Sequence, residues 1–360
     1  MTRIAVIGCG RWGPNYVRNF SELPDSEVVA CCDENAAALK SVASRFPNVR
    51  AHTDYRVMLA ENDCDAVVIV TPATTHREIA EHCLDARKHV LVEKPLAASA
   101  EDALALARYP RANGQILMVG HIFRYNAAVN KMRDLIYDGT VGQVRYVTCV
   151  RTNLGPVRQD VSAIWDLAPH DVSIALHLLN IMPTAVSAVL GSCLQRSKGD
   201  VAFLSLLFPD GLVANIHVSW VDPKKRREVC VVGSHSMVEF DDMNLAEPLR
   251  ISQRALRAEP SYTTFGEFQL VTHASSVVIP AIEMREPLKL QCEEFLNCIR
   301  LGKQPLSDVR DGYRICAILD AAERSAAQNG LPVEVCGSEE PAAEDEAPPR
   351  EAGHRREPEN

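Results

Sequence analysis

The stretch Ile4-Ala5-Val6-Ile7-Gly8-Cys9-Gly10-Arg11-Trp12-Gly13 runs an apolar strand straight into three glycines at G-x-G-x-x-G spacing. Each glycine in this pattern has its own task. Gly8 allows the tight strand-to-helix turn, Gly10 leaves room for backbone to approach a pyrophosphate, and Gly13 lets the next helix pack close on its strand. Phosphate oxygens then rest on the free N–H groups at that helix's start, with Arg11 and Trp12 beside them on the loop. The stretch reads as a dinucleotide clamp.

The next apolar segment agrees with a clamp. Val28-Val29-Ala30-Cys31-Cys32 ends in Asp33, 20 residues past Gly13. A carboxylate there hydrogen-bonds the adenosine ribose hydroxyls and repels a 2′-phosphate, which favours NAD over NADP.

Further along, apolar strands at 3–7, 28–32, 66–70, 89–92 and 116–119 alternate with helical segments at 36–45, 55–60, 75–86 and 100–108. This is the pattern of a doubly wound parallel sheet with helices on both faces. Thr71-Pro72 falls at the carboxyl edge, where such sheets bind ligands. His76, in the first turn after it, reads either as a cofactor contact or as a capping residue. The strand 89–92 runs into Glu93-Lys94-Pro95, which puts Glu93 and the Lys94 ammonium at the same edge, both as cofactor contacts. There the ammonium can donate to a substrate hydroxyl and stabilise charge developing on the oxygen; by itself, Lys94 also reads as a surface lysine.

The second chemical candidate is Trp165-Asp166-Leu167-Ala168-Pro169-His170-Asp171. Asp166 and His170, four apart at the start of a helix, share one face, and Pro169 is tolerated if it lies in the first turn. A carboxylate beside an imidazole can hold its tautomer and tune it as a base. His177, seven residues on in an apolar helix, reads as packing.

Beyond this helix, strand-like runs at 185–190, 201–208, 212–220, 227–232 and 237–240, with a turn at Pro209-Asp210-Gly211, indicate a mainly antiparallel open sheet. Amphipathic helices come next, at 287–300 and 310–328. The expected fold is α/β: a dinucleotide-binding Rossmann domain over 1–122, then a substrate-binding and oligomerisation α+β domain over 123–336. From 337 onward the chain carries eight acids, three arginines and no large apolar residue. It cannot bury a core and reads as a disordered acidic tail.

Composition narrows the partners. The formal net charge of -9 argues against nucleic acid. No apolar run approaches the ~20 residues needed to cross a bilayer, and a strand begins at Ile4 without a leader, so a cytoplasmic protein is expected. The twelve cysteines are scattered without a C-x-x-C pair and read as reduced core residues, with no metal site.

Taken together, G-x-G-x-x-G, Thr71-Pro72 followed by His76, and Glu93-Lys94-Pro95 resemble the Gfo/Idh/MocA family of oxidoreductases over residues 1–335. The resemblance implies a catalytic set of Lys94 with the D-x-x-x-H pair Asp166 and His170. It leaves open whether Lys94 or His170 takes the substrate proton. The segment Gly120 to Asn126 matches the family's passage between domains, where Arg124 and Asn126 either contact substrate or, for Arg124, form a structural ion pair. The family's open sheet face commonly makes homo-oligomers, dimers or tetramers.

For the substrate, the run from Arg151 to Asp160 offers Arg151, Asn153 and Arg158 ahead of Trp165, and arginines suit a diphosphate. Residues 151–171 look like family members that act on nucleotide sugars. The implied activity is NAD-dependent oxidation at C3 of UDP-N-acetylglucosamine. The keto product would feed an aminotransferase in amino-sugar synthesis for lipid A or a surface glycan. A dehydrogenase of a free sugar, inositol or other keto-sugar, and a non-catalytic NAD-binding regulator, are the alternative readings.

Overall fold

The computed structural model describes residues 1–112, 114–158, 161–194, 198–253 and 276–335, so the acidic tail lies outside the described residues. The first sheet comprises β1 (Thr2–Ile7), β2 (Ser26–Cys32), β3 (Arg50–His52), β4 (Ala66–Ile69), β5 (His89–Val92) and β6 (Leu117–Val119). All pairs are parallel, in the order β3-β2-β1-β4-β5-β6. The order reverses between β1 and β4, which opens a ligand crevice at their carboxyl ends. Ile4, Ala5 and Val6 of β1 and all of β4 are sealed from solvent, because continuous apolar runs can be buried on both faces. β3 escapes the sequence pattern: three residues with exposed Arg50 and Ala51 show no alternation.

The helices α1 (Gly13–Glu22), α2 (Ala36–Arg45), α3 (Tyr55–Ala60), α4 (His76–Asp85) and α5 (Ala100–Arg108) cover this sheet. Pro14 sits in the first turn of α1, where its missing N–H has no helical partner. Asn35, Asp54 and Ser99 accept N–H groups at the starts of α2, α3 and α5.

The second sheet has nine strands: β7 (Val144–Leu154), β8 (Ala185–Gly191), β9 (Val201–Leu207), β10 (Val213–Ser219), β11 (Val221–Gly233), β12 (Met237–Asp241), β13 (Leu249–Gln253), β14 (Ser276–Val278) and β15 (Val333–Glu334). Its pairs are antiparallel except β10 with β7. Asp210 and Gly211, both at positive φ, turn β9 into β10. Helices α6 (Ala127–Tyr137) and α7 (Ala163–Leu179) pack on one face of this sheet.

Three features depart from the sequence reading. Residues 151–154, read as the start of a substrate-contacting run, finish β7 at the centre of the sheet. Arg151 occupies a buried position of that strand after Val147 and Cys149, which an ion pair makes tolerable. Helix α7 starts at Ala163, so Asp166 lies one turn inside it and Pro169 is in the interior, not the first turn.

The third concerns α8 (Pro287–Leu301) and α9 (Val309–Ala327). Leu288, Cys292 and Phe295 of α8 close a face of the first sheet, with Phe295 edge-on to Phe20 of α1. α9 contributes Tyr313 and Cys316 to the first core and Ile315, Ile318 and Leu319 to the second. An amphipathic stripe specifies that a face is buried, not which sheet receives it. Burying a Phe295-sized side chain contributes about 1.5–3 kcal/mol, so α8 itself is held firmly on the first domain.

Among the described residues the eleven cysteines are all unpaired, no His, Cys, Asp or Glu cluster could hold a metal, and no helix is long and apolar enough to cross a membrane.

Candidate active site

Two cavities meet at the glycine loop. The larger, about 640 Å³, lies at the carboxyl ends of β1, β2 and β4, lined by Gly8, Gly10, Asp33, Thr71 and Pro72 among others. The loop's steric demands distinguish its glycines. A Cβ on Gly13 would stand 2.0 Å from the Gly8 carbonyl oxygen, and one on Gly8 would stand 2.7 Å from the Val70 backbone. A Cβ on Gly10 would meet nothing within 4 Å. Gly8 and Gly13 are therefore required by the fold, whereas Gly10 faces open space of the cleft. Asp33 accepts the Cys9 N–H at 2.6 Å through Oδ2 and the Asn35 N–H at 2.7 Å through Oδ1. It thus braces the loop from the end of β2. A crevice at the strand reversal, an open glycine and a carboxylate on its rim fit a bound dinucleotide.

His76 and Glu93, expected at the cofactor, line neither cavity. His76 is buried, with Nδ1 2.9 Å from the Pro95 carbonyl oxygen and Nε2 2.8 Å from that of Thr71. It ties together the two loops that frame the cleft. Glu93 accepts the Tyr16 O–H at 2.6 Å through Oε1 and the Lys94 N–H at 3.0 Å through Oε2. Gln291 of α8 donates to the same Tyr16 oxygen at 2.9 Å. This buried chain fixes the end of β5, and with it the backbone of Lys94, whose bond to Pro95 is cis.

The second cavity, about 550 Å³, opens where Arg11 and Trp12 of the glycine loop face α7 and the second sheet. Lys94, Asp166 and His170 all line it, with Asn126, Arg151 and Asn153. Lys94 Nζ donates to the backbone carbonyl of Asp166 at 3.0 Å, bridging the edge of the first sheet and α7. Burial lowers the Lys94 pKa, while the nearby Asp166 and Glu93 charges oppose that effect.

His170 lies one turn further along α7, its ring edge-to-face with Phe123 at 5.3 Å. The Arg151 guanidinium covers the same Phe123 ring at 4.5 Å. His170 Nδ1 is buried without a partner among the described residues, which leaves Nε2 as the nitrogen with access to the cavity. Burial, followed by the Lys94 and Arg151 charges, drives the His170 pKa well below the ordinary histidine value. At neutral pH the ring is therefore an uncharged acceptor.

The Asp166 carboxylate does not serve His170. Its Oδ2 accepts from Trp220 Nε1 at 3.0 Å and its Oδ1 from Arg158 at 3.3 Å. Shared helix face is necessary for contact but does not set the rotamer, and two donors from outside α7 turn the carboxylate toward them.

Other expected substrate contacts are engaged elsewhere. Arg151 forms a buried two-bond fork with Asp171, at 2.7 and 2.9 Å, so its planar face is already matched. Arg124 is buried and holds Asp311 of α9 at 2.6 Å and the Leu306 carbonyl at 2.8 Å. Trp165 packs between the two hydrophobic cores. Asn126 caps α6 by accepting the N–H groups of Ala128 and Val129 at 2.9 and 3.2 Å, while still bordering the cavity.

Sequence reading missed Trp220, Lys225, Arg227 and Asp242, which complete the far wall. They come from β11 and from the ends of β10 and β12, whose placement beside α7 is set only by sheet order. The one signal was the basic run Lys224-Lys225-Arg226-Arg227 in an acidic chain.

Comparison with known proteins gives the arrangement its family. Residues 2–121 match the GFO/IDH/MocA oxidoreductase family with an NAD-binding Rossmann fold, and residues 129–239 match the GFO/IDH/MocA C-terminal domain. A UDP-N-acetylglucosamine 3-dehydrogenase of Acidithiobacillus ferrooxidans is 30% identical over 88% of this chain and 94% of its own. A scyllo-inositol 2-dehydrogenase (NAD(+)) of Bacillus subtilis is 26% identical over 92% of this chain and 96% of its own. A solved structure of UDP-N-acetylglucosamine 3-dehydrogenase GnnA from Acidithiobacillus ferrooxidans superposes with a TM-score of 0.77 at 27% identity, covering 91% of this chain and 98% of that one. On the glycine loop, the two-domain architecture and these matches, the chain belongs to the Gfo/Idh/MocA family of NAD-binding oxidoreductases.

Proposed function

We propose that this protein oxidises a secondary alcohol of a nucleotide-linked sugar with NAD, and that the alcohol is the C3 hydroxyl of UDP-N-acetylglucosamine. The observation carrying this reading is that Lys94 and His170, from different domains, meet in one cavity bordered by the glycine loop. NAD held at that loop supplies the hydride acceptor.

The side chains divide the remaining work. One Lys94 N–H is held by the Asp166 carbonyl, which orients the ammonium and leaves two N–H groups for the substrate oxygen. As the alkoxide develops, that positive charge in a water-poor site stabilises it. His170, already neutral because burial depresses its pKa, takes the hydroxyl proton on Nε2. Lys94 would first have to give up its own proton to serve as the base, so His170 is the better assignment.

The likeness to a UDP-N-acetylglucosamine 3-dehydrogenase supports the substrate and carbon. A 3-keto product has the carbonyl an aminotransferase needs. Exposed Tyr146, Val189 and Phe203 on the uncovered sheet face support assembly into a homo-oligomer. The test is NADH formation with a panel of UDP-sugars, free sugars and inositols, and with UDP-N-acetylglucosamine deuterated at C3. Turnover of UDP-N-acetylglucosamine with a primary isotope effect is expected. The likeness to an inositol dehydrogenase favours the second reading; NADH formation with inositols or free sugars alone would replace the first with it.

A further inference from the structure

The cavity is electropositive in a chain of formal net charge -9: Arg11, Lys94, Arg151, Lys225 and Arg227 line it against two carboxylates, Asp166 and Asp242. Much of this charge is committed. Arg151 is forked on Asp171, Lys94 is held at the Asp166 carbonyl, and Arg11 belongs to the cofactor loop. The wall formed by β11 differs. Lys225 has no partner among the described residues, and Arg227 gives only Nη1 to Asp242, at 3.0 Å.

The backbone is built to put Lys225 there. β11 pairs Val221 with Leu154 and Arg226 with Thr152 of β7. Four residues, Asp222 to Lys225, thus stand opposite the single residue Asn153. The bulge is pinned at Lys224: Asp222 Oδ1 accepts its N–H at 2.9 Å, and Thr152 Oγ1 donates to its carbonyl at 3.0 Å. Bulges beside active sites re-aim side chains. This one delivers Lys225 to the cavity wall, with Arg227 beyond it.

We propose that Lys225 and Arg227 form a subsite for an anionic oxygen group of the substrate, namely a phosphate of the nucleotide that carries the sugar. The inference rests on the nucleotide-sugar reading and replaces Arg151 with two cations of the second sheet. A sugar carboxylate or sugar phosphate offers the same chemistry, so the experiment separates these sources.

NAD-saturated enzyme is titrated calorimetrically with UDP, glucose 6-phosphate and glucuronate, alongside KM for UDP-N-acetylglucosamine. The variants are Lys225→Gln, Arg227→Gln, their double, and Lys224→Gln, whose side chain does not line the cavity; thermal melting confirms folding. UDP affinity should fall about tenfold for each cation removed, the loss of one charge-assisted contact, with KM rising in parallel and Lys224→Gln binding as the parent does. Parent enzyme that turns over UDP-N-acetylglucosamine while the folded double variant binds UDP equally well would overturn the subsite and leave the function standing. Binding of glucose 6-phosphate or glucuronate, but not UDP, that is lost in the double variant would keep an anion subsite, overturn the phosphate of a nucleotide, and defeat the nucleotide-sugar reading. No binding of any of the three anions by enzyme that still turns over UDP-N-acetylglucosamine would overturn the subsite alone; without that turnover both would fall.

Discussion

Trp220 donates its indole N–H to Asp166 Oδ2 at 3.0 Å, and Lys94 is held by the backbone carbonyl of Asp166 and not by its carboxylate. Asp166→Asn keeps that carbonyl, so it should cost less than about tenfold in kcat/KM, whereas His170→Asn should cost about 10²–10⁴ as the loss of a general base. The Asp166 charge does raise the Lys94 pKa against burial. Its removal should therefore move the alkaline limb of the pH profile to lower pH. Steady-state kinetics across pH decide this, and equal losses in the two variants would put the carboxylate in the chemistry itself.

The pH profile has two sides with separate causes. As the base of the proposed mechanism His170 must be neutral, and burial places its pKa well below the ordinary value of 6.5. Activity should hold as pH falls through 6.5 and decline only in more acid solution. The same mechanism needs Lys94 charged, and burial lowers its pKa from 10.5, so the alkaline decline should begin below that value. An acid limb at or above the ordinary histidine value would exclude His170 as the base.

Arg151 and Asp171 stand buried as a two-bond pair, and Arg151 also covers the Phe123 ring that holds His170. Asp171→Asn leaves a buried guanidinium without its counter-charge, at a cost of about 3–5 kcal/mol. Urea unfolding should show that loss. Because Arg151 also positions Phe123, kcat should fall even where the variant remains folded; unchanged stability would mean that water reaches the pair.

Two alanine substitutions in the glycine loop should separate folding from binding. Gly13→Ala sets a methyl 2.0 Å from the Gly8 carbonyl oxygen, and such overpacking costs at least about 1–3 kcal/mol. Gly10→Ala meets nothing within 4 Å, so melting temperature should be kept while NAD affinity is lost. Equal NAD affinity in Gly10→Ala and the parent would place the pyrophosphate elsewhere.

The first domain was legible because its signals are local. Apolar runs at β1, β2, β4 and β5 are long enough to demand burial on both faces, and a glycine triplet after β1 specifies one turn. Lys94 and His170 were legible by their motifs. The occupation of neighbouring groups was not. The Arg151 fork was open in sequence and is closed by Asp171, 20 residues away. Arg124 meets a helix 187 residues away.

The sequence by itself determined the glycine loop, the strand that feeds it, the helix that carries His170 and the lysine at the sheet edge, since each depends on residues within a turn or two of one another. Tertiary structure alone decided where the Asp166 carboxylate turns, which arginines are left for a ligand, and that α8 returns to cover the first sheet. Those outcomes are competitions among donors, acceptors and apolar faces from distant segments. Their result depends on sheet order and packing, which no local pattern of residues encodes.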